Sequence, residues 1–150
     1  MQILVDCDAM PAGVREILYR AGERRGIIVT LVANQRLAPV KSRFVKTIVV
    51  PAGPDAADDR IVELVEANDL VITADIPLAD RVVGKGAYAI NPRGELYTEE
   101  NIKERLSMRD FLSELRSVGE ITGGPPTFNQ KDQRLFADQL DRFLTRHCRP

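Results

Sequence analysis

The sequence predicts a three-layer α/β domain: a parallel sheet of four or five strands between helices, extended by two C-terminal helices from about residue 98. Two observations carry that prediction. Short apolar runs rich in β-branched residues alternate with segments whose apolar residues recur at helical spacing, the order in which strands and crossover helices build a parallel sheet. After Tyr97 the alternation stops and helical periodicity alone remains.

Each element has its own signal. Ile3, Leu4 and Val5 form a first strand. Pro11 suits the first turn of a helix, where a missing N–H is tolerated, and Val14, Ile17, Leu18 and Ala21 give that helix one buried face before Gly26 ends it. Residues 27–32 read as a second strand. A polar stretch with Pro39, Lys41, Arg43 and Lys46 leads to a third at 47–50. Pro51-Ala52-Gly53-Pro54 punctuates the chain before a helix from about 55 to 67, and residues 70–73 are a fourth, buried strand. A short helix at 78–83, a fifth strand at 87–90 and the turn Asn91-Pro92-Arg93-Gly94 follow.

Thr98, with Asn101 or Glu100, supplies the cap of a helix that carries Ile102, Leu106, Phe111, Leu112 and Leu115. Residues 119–128, with Gly123-Gly124-Pro125-Pro126, read as a linker. A last amphipathic helix at 129–145 presents Leu135, Phe136, Leu140, Phe143 and Leu144 to its own domain or to a partner, a second copy included.

Composition bounds the chemistry. At 150 residues the chain has the length of a single domain, 1–150, and can bury a sizeable core without a disulfide or metal staple. No apolar run approaches the roughly 20 residues that span a bilayer. The opening MQILVDCDAMP meets an acid too early for a signal peptide, so a cytoplasmic location is expected. Cys7 and Cys148 lack CxxC spacing, which leaves redox and zinc-ribbon readings without support. With one histidine, His147, three residues from the end, neither a His-centred triad nor a multi-His metal site is expected, so acid–base or metal chemistry falls to carboxylates. The balance of 21 Lys+Arg against 22 Asp+Glu argues against coating nucleic acid by bulk charge.

The aspartates are placed informatively. In an open parallel sheet, ligands bind beyond the carboxyl ends of the strands. Asp6 and Asp8 follow the first strand, Asp55, Asp58 and Asp59 open the helix after the third, and Asp75 follows the fourth, with Asp80 a few residues on. Carboxylates gathered at one edge repel and raise one another's pKa, a penalty that a divalent cation removes. Mg²⁺ or Mn²⁺ suits an all-oxygen site without His. Such an ion activates water and neutralises charge on a phosphodiester. Asp55 and Asp58 also fit the structural roles of helix cap and first-turn acid, Asp6 that of a turn residue, and Asp80 that of an exposed helix acid. Lys41, Arg43, Lys46, Arg93, Arg105 and Arg109 are the candidates to hold phosphate, Arg43 and Arg93 foremost. With aromatic residues at 5% and no Trp, base stacking is expected to be modest.

The segments V-D-C-D-A-M-P, I-L-Y-R-A, L-V-A-N-Q, D-L-V-I-T-A-D-I-P-L-A, N-P-R-G-E-L-Y-T, M-R-D-F and T-G-G-P-P resemble the YaiI/YqxD family of small bacterial proteins over nearly the whole chain. The strand-end aspartates are in turn similar to those of PIN-like and NYN nuclease domains, which cut RNA with divalent metal held by acids at the ends of parallel strands. The resemblance implies a PIN-like fold. It maps the first-strand acid to Asp6, the helix acid to Asp58 and the acid after the fourth strand to Asp75, with Asp8 as a doubled first acid. Asp80 lies farther after Asp75 than the fourth acid of that pattern. The activity implied is a metal-dependent ribonuclease with Asp6, Asp58 and Asp75 catalytic, and Asp6, Asp8, Asp58 and Asp75 around the metal.

Two other classes compete. A haloacid dehalogenase-like phosphatase also begins with a strand running into D-x-D, and would use Thr73 and Lys85. Its order fails here: Asp58-Asp59 precede Thr73, Asp110 lies inside a helix pattern, and Met10 stands four residues after Asp6. A non-catalytic metal- or nucleotide-binding module acting through a partner on the C-terminal helix explains the acids equally well, but leaves the basic residues idle.

Overall fold

The computed structural model describes residues 1–8, 10–53, 55–120 and 127–147. The expected linker motif at 122–126 and Cys148 lie outside them. In chain order the elements are β1 (Ile3–Asp6), α1 (Ala12–Arg25), β2 (Val29–Ala33), β3 (Val45–Val49), α2 (Ala56–Leu64), β4 (Leu70–Ile72), α3 (Ile76–Val83), β5 (Tyr88–Ile90), β6 (Leu96–Tyr97), α4 (Ile102–Ser117) and α5 (Gln130–His147). The strands lie side by side in the order β3-β2-β1-β4-β5-β6. All neighbours are parallel except β5 and β6.

Alternation along β1 sorts the core into two layers, because successive side chains point to opposite faces of a sheet. Ile3 and Val5 face a cluster with Val14 and Leu18 of α1 and Phe136, Leu140, Phe143 and Leu144 of α5. Leu4 faces the other cluster, with Ile61 of α2, Leu78 and Val82 of α3, and Ile102 of α4. The sheet is thus covered on both sides, as parallel sheets require. Phe136, Leu140, Phe143 and Leu144 of α5 are buried in its own domain, α5 packing against α1, whereas Leu135 of the expected apolar face stays 47% exposed.

Three differences from the sequence reading have local causes. The antiparallel strand β6 is additional, a hairpin partner of β5 too short to show a strand pattern. Its hairpin is organised by buried Asn91, whose Oδ1 accepts the N–H groups of Arg93 (2.9 Å) and Glu95 (3.0 Å) and whose Nδ2 donates to the Tyr97 hydroxyl (3.1 Å). Gly94 there has φ 91°, and a Cβ on it would meet the Leu135 carbonyl oxygen at 2.6 Å, so α5 packs directly on backbone. Second, β3 begins at Val45, which puts Lys46 inside the strand.

Third, α4 buries Ile102 alone. It is opened as expected by a reciprocal pair, Thr98 N–H to Asn101 Oδ1 (2.9 Å) and Asn101 N–H to Thr98 Oγ1 (3.2 Å). Contact with α3 covers its first turns. Leu106, Leu112 and Leu115 are only half-buried, and Met108 (53%), Phe111 (56%) and Val118 (66%) stand in solvent. Among the described residues no helix is long and apolar enough to cross a membrane.

Candidate functional site

The chain leaves β1 to one side for β2 and β3, then passes back to lay β4 against the other side of β1. Such a reversal marks the crevice beyond the carboxyl ends of two neighbouring strands, here β1 and β4, as the place where open α/β sheets bind ligands. Asp6 is the last residue of β1 and Thr73 follows β4 directly. Asp6 continues the alternation of Leu4, so its side chain belongs to the α2/α3 face.

A fixed chain of hydrogen bonds joins the two strand ends. The Asp75 amide donates to Thr73 Oγ1 (3.0 Å), and Thr73, wholly buried, donates its hydroxyl proton to Asp6 Oδ2 (2.9 Å). An amide N–H only donates, so the Thr73 hydroxyl keeps its single proton for Asp6 and Asp6 is the acceptor. Asp75 is the N-cap of α3, its Oδ1 accepting from the Leu78 amide at 3.0 Å. Asp58 enters from the first turn of α2, which packs over β1 and β2.

The acids are close enough to influence one another. Burial raises the pKa of Asp6, with the Thr73 bond opposing and the charges of Asp8 and Asp75 adding to the rise. Burial also pushes Asp58 up to about 6, with Asp75, Asp6 and Asp55 adding and Arg81 opposing. Asp6, Asp58 and Asp75 thus form one electrostatic group. Asp8 is exposed, its Oδ1 accepting the Asn34 amide (3.0 Å) and tying the loop after β1 to that after β2. Asp55 occupies the N-cap position of α2 without a side-chain cap bond. Asp59 pairs with Arg81 (3.0 Å), and Asp80 with Lys103 of α4 (2.8 Å), so Asp80 braces α3 to α4.

The expected phosphate-binding residues are not gathered with the acids. Arg43 precedes β3, and the sheet is parallel there, so it stands at the opposite edge from Asp6, over the Phe44 ring at 5.0 Å. Strands rise about 3.3 Å per residue, which puts the two edges more than an arginine's length apart. Arg93 follows β5 at the correct edge, but its guanidinium pairs with Asp132 of α5 at 2.9 Å. Arg105 pairs with Glu95 (2.6 Å) and Arg109 with Asp110 (3.1 Å).

Two residues at this edge escaped the sequence reading of the acidic site. Thr73 is one: its signal is a hydroxyl closing the apolar run at residues 70–72. Arg15, in the first turns of α1, is the other: burial raises the pKa of the Cys7 thiol and the charge of nearby Arg15 opposes that rise. Among the described residues, Arg15 Nε is the one buried side-chain nitrogen or oxygen without a hydrogen-bond partner, a condition that costs about 1–3 kcal/mol. Its position directly after buried Val14 offered only a weak signal.

The donor set at the crevice is carboxylate oxygen with a hydroxyl, which fits a hard cation. Among the described residues no three His, Cys, Asp or Glu side chains converge to hold one ion. The fit is therefore to an ion bound by one or two carboxylates and water, the usual habit of Mg²⁺. The dehalogenase-like alternative fares worse. Thr73 is sealed between Asp6 and Asp75, and Lys85, beyond the far end of α3, donates to the Val62 carbonyl at 2.5 Å.

Fold and crevice define an open, mostly parallel α/β domain with an acidic strand-end site. The chain belongs to the YaiI/YqxD family: the family model described as "Uncharacterized BCR, YaiI/YqxD family" matches residues 4–146. It is 57% identical to a UPF0178 protein of Cupriavidus necator over 150 residues, all of this chain and 97% of that one. A UPF0178 protein of Burkholderia lata is 59% identical over the full length of both chains.

Proposed function

We propose that the chain is a Mg²⁺- or Mn²⁺-dependent phosphodiesterase of PIN-like type that cuts RNA in the cytoplasm. One observation carries the reading: Asp6, Asp58 and Asp75 come from elements around the topological switch point and feel one another's charge, and burial and mutual repulsion raise the pKa of two of them. A structural acid normally gains a donor that lowers its pKa, whereas groups pushed towards neutrality cluster at functional sites.

Asp6 and Asp75 would hold the ion, and Asp58, with Asp8 at the rim, would bind its water. When bound, the ion lowers the pKa of a water and neutralises charge on the phosphate. The chain's residues do the positioning. Thr73 holds Asp6 as an acceptor and the α3 cap fixes Asp75, so both carboxylates are oriented before a ligand arrives. Asp58, titrating near 6, is suited to take and return a proton at neutral pH.

The test is calorimetric titration with Mn²⁺ of the wild type and of the Asp6→Asn, Asp75→Asn double variant, beside cleavage of a labelled single-stranded RNA. Binding and cleavage in the wild type, both lost in the double variant, are the expected results. Equal Mn²⁺ binding by the two proteins removes the acidic site. Mn²⁺ binding without any RNA cleavage leaves the non-catalytic module as the correct class.

A further inference from the structure

Arg15 reaches the same sheet edge as the acids from the other side. α1 starts just after β1, so its first turns stand at the carboxyl edge, and Cys7 points into the α1 layer just as Asp6 points into the α2/α3 layer. The loop that follows β2 lies against this turn. Between them is a cavity of about 240 Å³ lined by Ala12, Arg15, Glu16, Tyr19, Leu37 and Pro39 among others, so that one carboxylate shares it with the guanidinium.

Arg15 differs from the other cations of this edge in its buried Nε; exposed Arg36, just after β2, likewise makes none of the ion pairs found among the described residues. Arg93 is committed to Asp132, and Arg81 to Asp59. Arg15 makes none of the ion pairs found among the described residues, and its buried Nε–H has no acceptor. Beside it are a thiol and a phenol, Cys7 and Tyr19, neither of which offers a guanidinium the paired oxygens it matches best. The side chain therefore gains by turning towards an oxyanion that enters the adjoining cavity.

We infer that Arg15 and the cavity between α1 and the 37–40 loop hold a phosphate group of single-stranded RNA, the neighbour of the phosphate at the acids. The strand crosses the sheet edge over the end of β1, with the acids on one side and the guanidinium on the other. This inference rests on the proposed function for its ligand, and supplies the phosphate-binding residue that neither Arg43 nor Arg93 provides.

Binding can be read without cleavage. In the Asp6→Asn, Asp75→Asn chain, anisotropy of a labelled single-stranded RNA across a salt series reports affinity and salt slope. Adding Arg15→Gln is expected to weaken binding about tenfold and to reduce the slope by roughly one phosphate contact. Unchanged affinity and slope overturn the inference. The ¹⁵N–¹H resonance of Arg15 Nε in the wild type gives a second reading that does not depend on how the variant folds. A shift on adding RNA supports the inference, while no shift, or a shift with inorganic phosphate and none with RNA, overturns it. Cleavage that survives in the Asp6→Asn, Asp75→Asn variant would remove the catalytic reading while leaving the Arg15 result to stand on its own.

Discussion

Asp58 shows how one residue's surroundings become a measurable pH dependence. Its carboxyl titrates at about 6 in the folded chain, against about 3.9 in an unfolded one. Below about pH 3 it is protonated in both states and contributes nothing. As pH rises through 4 to 6 the unfolded chain ionises first, so the native state loses stability, and above 6 the penalty is complete. Asp58→Asn removes that penalty. We expect it to raise stability at pH 7 by on the order of 1 kcal/mol, after allowing for solvent screening at a part-exposed site, and to change nothing at about pH 3. Urea unfolding at the two pH values checks this, and a loss of stability at pH 7 would mean that Asp58 serves as a helix-terminus acid instead. At this scale the sequence revealed the acids, because Asp6 and Asp75 follow apolar strands. It hid Arg15, because contact with Cys7 depends on how α1 lies over β1.

Helices α4 and α5 separate periodicity from burial. Both carry apolar residues at helical spacing, and the sequence gives no reason to treat Phe111 and Phe136 differently. Phe136 is fully buried against the sheet and Phe111 is 56% exposed. Phe136→Ala should therefore cost about 3–5 kcal/mol, whereas Phe111→Ser should fall within about 0.5 kcal/mol of the wild type. Thermal and denaturant unfolding of the pair give the comparison. The strands were legible because β-branched runs buried on both faces have no other common explanation. Their ends were not: β3 starts at Val45 where the pattern suggested 47, and because it runs parallel to β2 either start leaves Arg43 at the edge opposite Asp6, which needs the strand pairing to be seen.

For the whole molecule, topology matters more than total charge. A net charge of -1 gives no long-range attraction for nucleic acid. Binding then depends on a few local contacts, and the logarithm of RNA affinity is expected to fall by less than about 2 per logarithmic unit of salt. A much steeper slope would point to a broad basic surface instead of the crevice. The reversal between β1 and β4 gathers residues 6, 58, 73 and 75, and sequence alone could place those acids after strands without fixing which strands are neighbours.

The two margins of the sheet are unequal. β6 is two residues long and ends the sheet as half of a hairpin, while β3 offers five residues along a flank that no strand of the described residues pairs with, Lys46 second among them. Hydrogen bonding between sheets of separate molecules therefore has one usable flank per copy. Two copies paired through β3 would cover both five-residue flanks and leave a third copy only the two-residue β6, so edge pairing in this architecture favours pairs over longer stacks.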